Sequence, residues 1–425
     1  MRNLRKLRRF HSRLCRWAQQ SPAHLIRKSI AYFGGSPLGS LLTFRFAVLL
    51  RWITPGSAGI VSAAQKSVAF VYGDPGMWRF SELTRTLESQ GQDVVLLNAR
   101  AVSGDSSGSL LKTVGPAGNI LRTLDWRSAR DWLFVYNLGV IFYSQPYLMS
   151  GMISSVRSLR NTRKVYVPYT FGESMNSAQF TFGASAISRC DIAVISNPQL
   201  AGPYLAAFGV REAQWGYPEL SLIDQGSKSS LGKVLNILWA PHWTTSLEKN
   251  EDGVSQLERW ANSLLQLKVE LLKKGLTVYI RCRAHPRLLE KRGQNLADAG
   301  QLLRNLESSG GMMIEPKVRG VHHDFNWSHV LVHNGGSFTI EYLASLKPAL
   351  YLTEKSVVIP TLNSLGNLAL DHHYKCENLG QLEQQLREIS AGKDPMRGIR
   401  NVFWSQILSK SLGFEDQASS YILNP

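Results

Sequence analysis

Cysteine is scarce in this sequence, with four residues in 425. They stand far apart, at Cys15, Cys190, Cys282 and Cys376, without a Cys-x-x-Cys pair or a paired histidine spacing. Neither a disulfide framework nor a structural zinc site is indicated, and a reducing compartment is expected. The composition, 44% hydrophobic and 19% charged, excludes disordered and collagen-like chains and predicts two domains.

Long apolar runs are also missing. The most apolar stretch, residues 38–53, is interrupted by Arg45 and Arg51 and falls short of the roughly 20 residues that a spanning helix needs. The basic N-terminal run leads into a polar stretch at 19–22 instead of the apolar core of a secretory signal. The sequence therefore disfavours both a membrane span and export.

Acidic residues are absent before Asp74, whereas residues 1–73 contain twelve Lys or Arg. The formal net charge of +17 is therefore concentrated in an N-terminal appendage, and the remainder is only mildly basic. The sequence contains no zinc-finger spacing, RNP-like strand or Arg/Gly-rich tract, which argues against a nucleic-acid partner.

The same appendage has the pattern of a basic amphipathic helix. Leu4, Leu7, Leu14 and Trp17 can share part of one helix face among the arginines, as in helices that lie in a membrane interface. We expect residues 1–60 to bind an anionic membrane surface, with the protein cytoplasmic and peripheral on the inner face of the cell membrane. A disordered basic tail and an organelle transit peptide are the alternatives.

Beyond the appendage, short apolar runs alternate with helical patterns, which predicts an α/β fold with parallel sheets. Strands are predicted at 68–72, 94–97, 132–136, 165–167, 192–195, 237–240, 276–280, 330–332 and 349–352. Two Rossmann-like parallel-sheet domains should face a central cleft. The predicted segments are a basic amphipathic helical extension (1–66), an N-terminal Rossmann-like domain (67–220), a linker (221–233), a C-terminal Rossmann-like domain (234–380) and a helical tail (381–425).

One loop of the second domain has the composition of a phosphate-binding turn. In Asn334-Gly335-Gly336-Ser337, the glycines permit a tight turn and close approach of a ligand, and Ser337 can cap the following helix. Glu341, one helical turn further on, can accept hydrogen bonds from ribose hydroxyls. An ordinary turn and a solvated carboxylate are the alternatives.

Two other loops follow strands that a proline ends. Pro286 directs His285 and the flanking Arg281 and Arg283 to the crevice, where arginine suits a pyrophosphate. His242 follows Pro241 and precedes three hydroxyl side chains, the first of which is Thr244. The alternative for the first loop is a histidine with a structural role, and for the second a capped loop in which Trp243 fills the core.

A third histidine segment, His322-His323-Asp324, has residue types that bind metals, but adjacent histidines point apart on a regular element, and we expect a loop before a strand instead of a metal site. We therefore expect no metal ion and no cofactor.

In this order, the three loops resemble those of the CDP-glycerol glycerophosphotransferase family, which are teichoic-acid and capsule polymerase-like enzymes with a GT-B fold. The matching motifs are 240–243 for the family's Ala-Pro-Thr-Trp, 285–286 for its His-Pro, 334–337 with Glu341 for its Asp-Tyr-Ser-Ser turn and later acid, and 347–348 for its Lys-Pro. Gly216-Tyr217-Pro218 also looks like the family's linker. The resemblance covers about residues 160–400, and it implies that 67–220 is the acceptor domain and 234–380 the nucleotide-donor domain.

The resemblance implies that His285 contacts the donor phosphates, that Ser337 and the turn amides hold the pyrophosphate or ribose, and that Glu341 binds the ribose. Two positions depart from the family. Its Trp-His-Gly-Thr catalytic loop is replaced here by a segment at 167–173 without histidine, and its arginine after the tetrad is Thr244. Glu173 is our expected base for the acceptor hydroxyl, with Tyr169, His242 and His285 as alternatives.

The function expected from these features is that of a transferase in bacterial cell-surface polysaccharide or teichoic-acid-like polymer synthesis. It would move a phosphoalditol or sugar unit from a nucleotide-activated, CDP-glycerol-like donor to a polyprenyl-linked or glycan acceptor. A nucleotide-sugar 2-epimerase-like enzyme is one alternative, although the usual paired acids are absent because Tyr342 follows Glu341. A non-catalytic GT-B scaffold at the membrane is the other.

Overall fold

The computed structural model describes residues 67–72, 78–98, 122–125, 138–144, 162–172, 187, 190–196, 205–207, 209–226, 233–242, 252–284, 294–314, 320–336, 338–353 and 362–423. The predicted N-terminal extension lies outside these residues, as does the predicted strand at 132–136. Within the described residues, no helix combines the length and the apolar character that crossing a membrane requires.

Strands and helices alternate along most of the described chain. The strands are β1 (Ser67–Tyr72), β2 (Val94–Asn98), β3 (Arg122–Asp125), β4 (Leu138–Tyr143), β5 (Arg163–Tyr166), β6 (Ile192–Val194), β7 (Arg211–Ala213), β8 (Val234–Ala240), β9 (Thr277–Cys282), β10 (Met313–Ile314), β11 (Val330–His333), β12 (Ala349–Leu352) and β13 (Tyr374–Cys376). The α-helices are α1 (Ser81–Ser89), α2 (Asp252–Lys273), α3 (Gln294–Ser308), α4 (Val321–Trp327), α5 (Phe338–Glu341), α6 (Ser364–Leu370), α7 (Leu379–Ser390), α8 (Arg397–Gln406) and α9 (Phe414–Leu423). A 3₁₀ turn, Tyr342–Ser345, continues α5.

The described residues form two compact units. The first contains β1, β2, β3 and β4 as far as Phe142, with the strands in the order β3-β2-β1-β4. The second contains residues 78–86, 143–144 and those from Lys164 onward. It includes the neighbouring strands β5, β6 and β7 and a six-stranded sheet in the order β10-β9-β8-β11-β12-β13. In that sheet the first strand in sequence, β8, lies beside the fourth, β11, which is the Rossmann order and its switch point.

The six-stranded sheet is parallel, and its central strands are buried, as the apolar runs predict. Helix α2 covers one face because its apolar residues recur at helical spacing. They are Leu257, Trp260, Ala261, Leu264, Leu267 and Leu271, and they share a core with Trp239 of β8. Each such buried large side chain contributes about 1.5–3 kcal/mol. Gly275, with φ 83°, follows the end of this helix, as expected.

The predicted fold class, with two parallel-sheet α/β domains, is confirmed. The domain boundaries stay a prediction. The strands β3, β7, β10 and β13 have two to four residues and few apolar positions, so the sequence pattern does not show them.

The prediction of a loop at His322-His323-Asp324 is wrong. These residues lie in α4, which begins directly after Gly320. Val321 and Phe325, four residues apart, both enter an apolar core, so the segment gains a buried face by forming a helix. His322 and Asp324 are buried on this helix, whereas His323 is exposed.

Candidate functional site

The predicted loops leave the six-stranded sheet at the carboxyl ends of β9, β8 and β11, which are neighbours in that order. Cys282 pairs with Trp239, and Ala240 pairs with His333, so the three strands end at nearly the same level. Ligands of such sheets bind outside the carboxyl ends of the strands, at the switch point between the first and fourth. Here the switch point lies between β8 and β11.

A direct contact joins the two loops at the switch point. The backbone N–H of His242 donates to Oδ1 of Asn334 over 2.7 Å, and Asn334 is completely buried. A Cβ at Gly335 would lie 3.1 Å from Cδ2 of His242, so glycine permits this close approach. The Nδ2 of Asn334 has no hydrogen-bond partner among the described residues. A buried amide donor of this kind is suited to a phosphate or hydroxyl oxygen.

His333 contacts the same turn, and it was not among the predicted site residues. Burial lowers its pKa to about 3, so the ring is neutral near pH 7. Its Nδ1 lies 3.0 Å from the carbonyl oxygen of Gly335, which fits an Nδ1–H donor. Its ring meets those of Tyr351 and His373 at centroid distances of 5.0 and 5.2 Å. Its position at the end of a predicted strand, one residue before the turn, was the available signal.

Two arginines were predicted to contact the pyrophosphate: Arg281, which lies in β9, and Arg283, which follows that strand. In the structure both bind the same carboxylate. Nη1 of Arg281 lies 2.9 Å from Oδ1 of Asp324, and Arg283 binds the other carboxylate oxygen. The guanidinium of Arg281 also lies over the ring of Trp327, 4.0 Å from its centroid. Asp324, which is completely buried, therefore orients the two arginines that are predicted to bind the donor substrate.

Glu341 is buried instead of facing solvent, with 1% of its surface exposed. It accepts a hydrogen bond from the hydroxyl of Tyr217 and pairs with Arg79. Burial raises the pKa of this carboxyl, and the nearby Arg79 opposes the shift. The ribose contact of Glu341 stays a prediction.

A second buried carboxylate, that of Glu219, was not predicted to be functional. Its Oε1 accepts from the backbone N–H of Ser81 over 2.9 Å, and its Oε2 lies 3.4 Å from Nδ1 of His322. Burial raises the pKa of Glu219, but the neighbouring His322 and Arg79 and the hydrogen bond from Ser81 together outweigh this and lower it. Glu219 has φ 60°, a left-handed conformation that costs a non-glycine residue about 1–3 kcal/mol.

The segment around Glu219 resembled a linker in sequence because of its Gly and Pro. In the structure, residues 215–220 are all buried. The sequence signal for burial of this segment was its two aromatic residues, Trp215 and Tyr217.

The loop after β5, where the resemblance places the acceptor side, packs on Tyr217. The hydroxyl of Tyr217 lies 2.8 Å from the carbonyl oxygen of Tyr169, and the ring of Phe171 stacks on that of Tyr217 at 4.0 Å. The side-chain amide of Asn363 donates to the carbonyl of Gly172. Tyr169 and Glu341, predicted for different roles, therefore share Tyr217 as a partner.

Four predicted site residues lie outside the described part of the chain: Glu173, Thr244, His285 and Ser337. Among the described residues, the structure brings together His242, Asn334 and Gly335 at the switch point, and Arg281 with Arg283 at Asp324. No cluster of three or more His, Cys, Asp or Glu side chains suited to a metal ion occurs within the described ranges.

No protein-family model matches the chain, and no curated protein matches it by sequence. Its fold is nevertheless similar to several solved structures. The wall teichoic acid polymerase TagF aligns with a TM-score of 0.54 and 12% identity, over 90% of this chain and 96% of that chain. MnaA of S. aureus, solved with UDP, aligns with a TM-score of 0.52 and 13% identity, over 85% and 97%. A UDP-N-acetylglucosamine 2-epimerase aligns with a TM-score of 0.50 and 13% identity, over 84% and 94%.

At these identities the similarity shows the fold, which is GT-B-like. The structural neighbours thus include a teichoic acid polymerase, as the motif resemblance led us to expect, and epimerases, the alternative considered from sequence.

Proposed function

We propose that this protein is a GT-B transferase of bacterial surface-polymer synthesis. It moves a phosphoglycerol, a related phosphoalditol or a sugar from a nucleotide-activated donor to a lipid-linked glycan acceptor. The observation that carries the proposal is the contact between His242 and Asn334 at the switch point, beside a buried Asn334 amide without a partner in the described structure. Two of the structural neighbours agree with such a ligand, since a variant of TagF was solved with CDPG and MnaA was solved with UDP.

The donor lies, in this proposal, against the loops after β8, β9 and β11. Its diphosphate is held by Arg281 and Arg283, by the turn 334–337 and by His285, with His242 and Thr244 beside them. Glu341 binds the ribose side. Cationic side chains and backbone N–H groups neutralise the leaving nucleotide, so the step needs no metal ion.

The transfer step follows from these placements. An acceptor hydroxyl loses its proton to a base, for which we propose Glu173, with Tyr169 beside it. The hydroxyl oxygen forms a new bond to the phosphorus of the alditol phosphate, and the bond from that phosphorus to the nucleoside monophosphate breaks. The leaving monophosphate carries away the charge. With a sugar donor, the new bond forms at the sugar carbon and a nucleotide leaves.

We propose that the protein acts at the membrane surface. A lipid-linked acceptor lies at the membrane, and twelve basic residues without an acid in 1–73 are suited to the anionic inner leaflet. Residues 1–60 are the proposed contact.

The test is an assay of the purified full chain with lipid-linked acceptor extract and a panel of CDP-glycerol, CDP-ribitol and UDP-, GDP- and CMP-sugars, followed by phosphorus NMR. CMP release from one CDP-alditol supports phosphoalditol transfer. Nucleotide release from a sugar donor supports glycosyl transfer. Conversion of UDP-N-acetylglucosamine to its 2-epimer without acceptor would overturn the proposal in favour of the epimerase. If no compound of the panel reacts, a binding scaffold is favoured.

A further inference from the structure

The hydroxyl of Tyr217 contacts two parts of the second unit that are far apart in sequence. It lies 2.8 Å from the carbonyl oxygen of Tyr169, in the loop after β5, and it is hydrogen-bonded to Oε1 of Glu341 at the end of α5. Tyr217 is 3% exposed and Glu341 1% exposed, so water does not replace either bond easily.

The two contacts compete for one proton. A carbonyl oxygen only accepts, and so does an ionised carboxylate, whereas a tyrosine hydroxyl has a single hydrogen to donate. Tyr217 satisfies both partners fully only when the carboxyl of Glu341 carries a proton and donates it to the tyrosine oxygen. A ligand that changes the hydrogen bonding of Glu341 therefore changes the bond that Tyr217 makes to the loop.

The rest of the loop is held by contacts that do not involve Glu341. The ring of Phe171 stacks on that of Tyr217 with an interplanar angle of 20°. Asn363 donates its Nδ2 to the carbonyl of Gly172, while its Oδ1 caps α6 by accepting from Gly366 N–H. The loop is thus anchored at both ends, and among these contacts only the bond at Tyr169 leads through the Tyr217 hydroxyl to the predicted donor side.

We propose that Tyr217 is a positioning residue that couples occupancy of the donor site at Glu341 to the placement of the loop Tyr169–Gly172. The coupling rests on the proposed function, because Glu341 is its donor-side member and Tyr169 its acceptor-side member. Binding of a nucleotide at Glu341 shifts the Tyr217 hydroxyl toward one of these two acceptors, and the degree of order of the loop changes with it.

The experiment measures backbone hydrogen exchange in the full-length protein, comparing wild type with Tyr217→Phe. This variant keeps the ring that stacks on Phe171 and removes only the hydroxyl. Exchange in 167–172 should become up to about tenfold faster, the effect of losing one net hydrogen bond. The matched control is Tyr374→Phe, which removes a hydroxyl bonded to Asp394 over 2.8 Å. It should leave 167–172 at the wild-type rate.

Added UDP or CDP tests the coupling. In wild type, the nucleotide that binds should change the exchange rate of 167–172, and in Tyr217→Phe the same nucleotide should bind with a Kd within about threefold of wild type but leave that rate unchanged. Asn363→Asp, which keeps the cap of α6 and loses the donor to Gly172, should loosen the loop yet retain the nucleotide response. It also provides a second reading if Tyr217→Phe folds poorly.

The outcomes separate the two proposals. Equal loop exchange in wild type and Tyr217→Phe, or an equal nucleotide response in both, would overturn the positioning role. If neither nucleotide binds the wild type at millimolar concentration, the donor-binding function and the coupling both fail, while the ligand-free comparison still shows whether Tyr217 orders the loop.

Discussion

Nη2 of Arg79 lies 3.5 Å from Oε2 of Glu341, and the two side chains are 5% and 1% exposed. Glu341 therefore belongs to a buried ion pair. Burial lowers the pKa of Arg79, but the nearby acidic groups, with Glu341 first among them, together outweigh this and raise it, so the guanidinium stays charged. A buried cation of this kind depends on the carboxyl groups around it.

Glu341→Ala should accordingly destabilise the protein strongly. Removing one member of a buried pair costs about 3–5 kcal/mol, and urea unfolding followed by circular dichroism measures it. Glu341→Gln, which preserves shape and can donate to Tyr217, should cost less. Glu270→Ala is the control, since Glu270 pairs with Arg387 over 2.8 Å at the surface. If the urea midpoint of Glu341→Ala falls no further than that of the control, the stabilising role of the buried pair is contradicted.

Asn334→Ala should weaken nucleotide binding without unfolding the protein. A hydrogen bond to a charged phosphate contributes about 1.5–3 kcal/mol, so Kd should rise by roughly tenfold to a hundredfold. Titration calorimetry with UDP and CDP measures this. Asn378→Ala removes a comparable side-chain acceptor, which binds Gln381 N–H over 3.0 Å at the start of α7. If both variants bind like wild type, the switch-point amide is not a donor ligand.

Stability should fall in mild acid because of His333. Burial lowers its pKa from 6.5 to about 3, so between these values the unfolded chain binds a proton that the folded chain does not. The free energy of unfolding therefore has its full value above pH 6.5 and decreases as the pH falls toward 3.

His333→Asn, which can still donate to Gly335, should flatten this dependence by up to about 1.4 kcal/mol per pH unit. Thermal unfolding at pH 7, 6 and 5 measures the slope. His323→Asn, at an exposed histidine of α4, should keep the wild-type slope. An unchanged slope in His333→Asn would show that other groups cause the acid sensitivity.

Asp324→Asn should both destabilise the protein and strengthen its response to anions. The substitution removes the carboxylate that Arg281 and Arg283 bind, at an expected cost of about 3–5 kcal/mol. Because both guanidiniums then favour another anion, inorganic pyrophosphate should raise the Tm of the variant more than that of wild type. Asp371→Asn breaks an exposed pair with Lys375 and is the control. Equal pyrophosphate shifts in all three proteins would argue against a phosphate role for these arginines.

Deletion of residues 1–60 should abolish sedimentation with anionic liposomes at physiological salt and leave catalysis on a soluble acceptor intact. Each basic residue near such a surface contributes on the order of 1 kcal/mol, so the binding should also weaken as salt is raised. Neutral liposomes are the control. Retained binding after the deletion would place the membrane contact elsewhere.

Several elements of the fold were predictable because their signals are local. The βαβ unit from β1 to β2 follows from apolar runs and a helical spacing between them, and α2 follows from its apolar face and Gly275. The turn at Asn334-Gly335-Gly336 was selected from its glycines, and the structure places it at the switch point. The helix at His322 was missed because its apolar face has only Val321 and Phe325.

The sequence alone determined the parallel α/β class, the positions of most main strands along the chain and the loops at their carboxyl ends, since each depends on residues close together along the chain. Only the tertiary structure decided the environment of the charges. It paired Glu341 with Arg79, Arg281 and Arg283 with Asp324, and Glu219 with His322. These partners come from distant segments, and a buried charge must find an opposite charge or a hydrogen bond wherever the fold brings one.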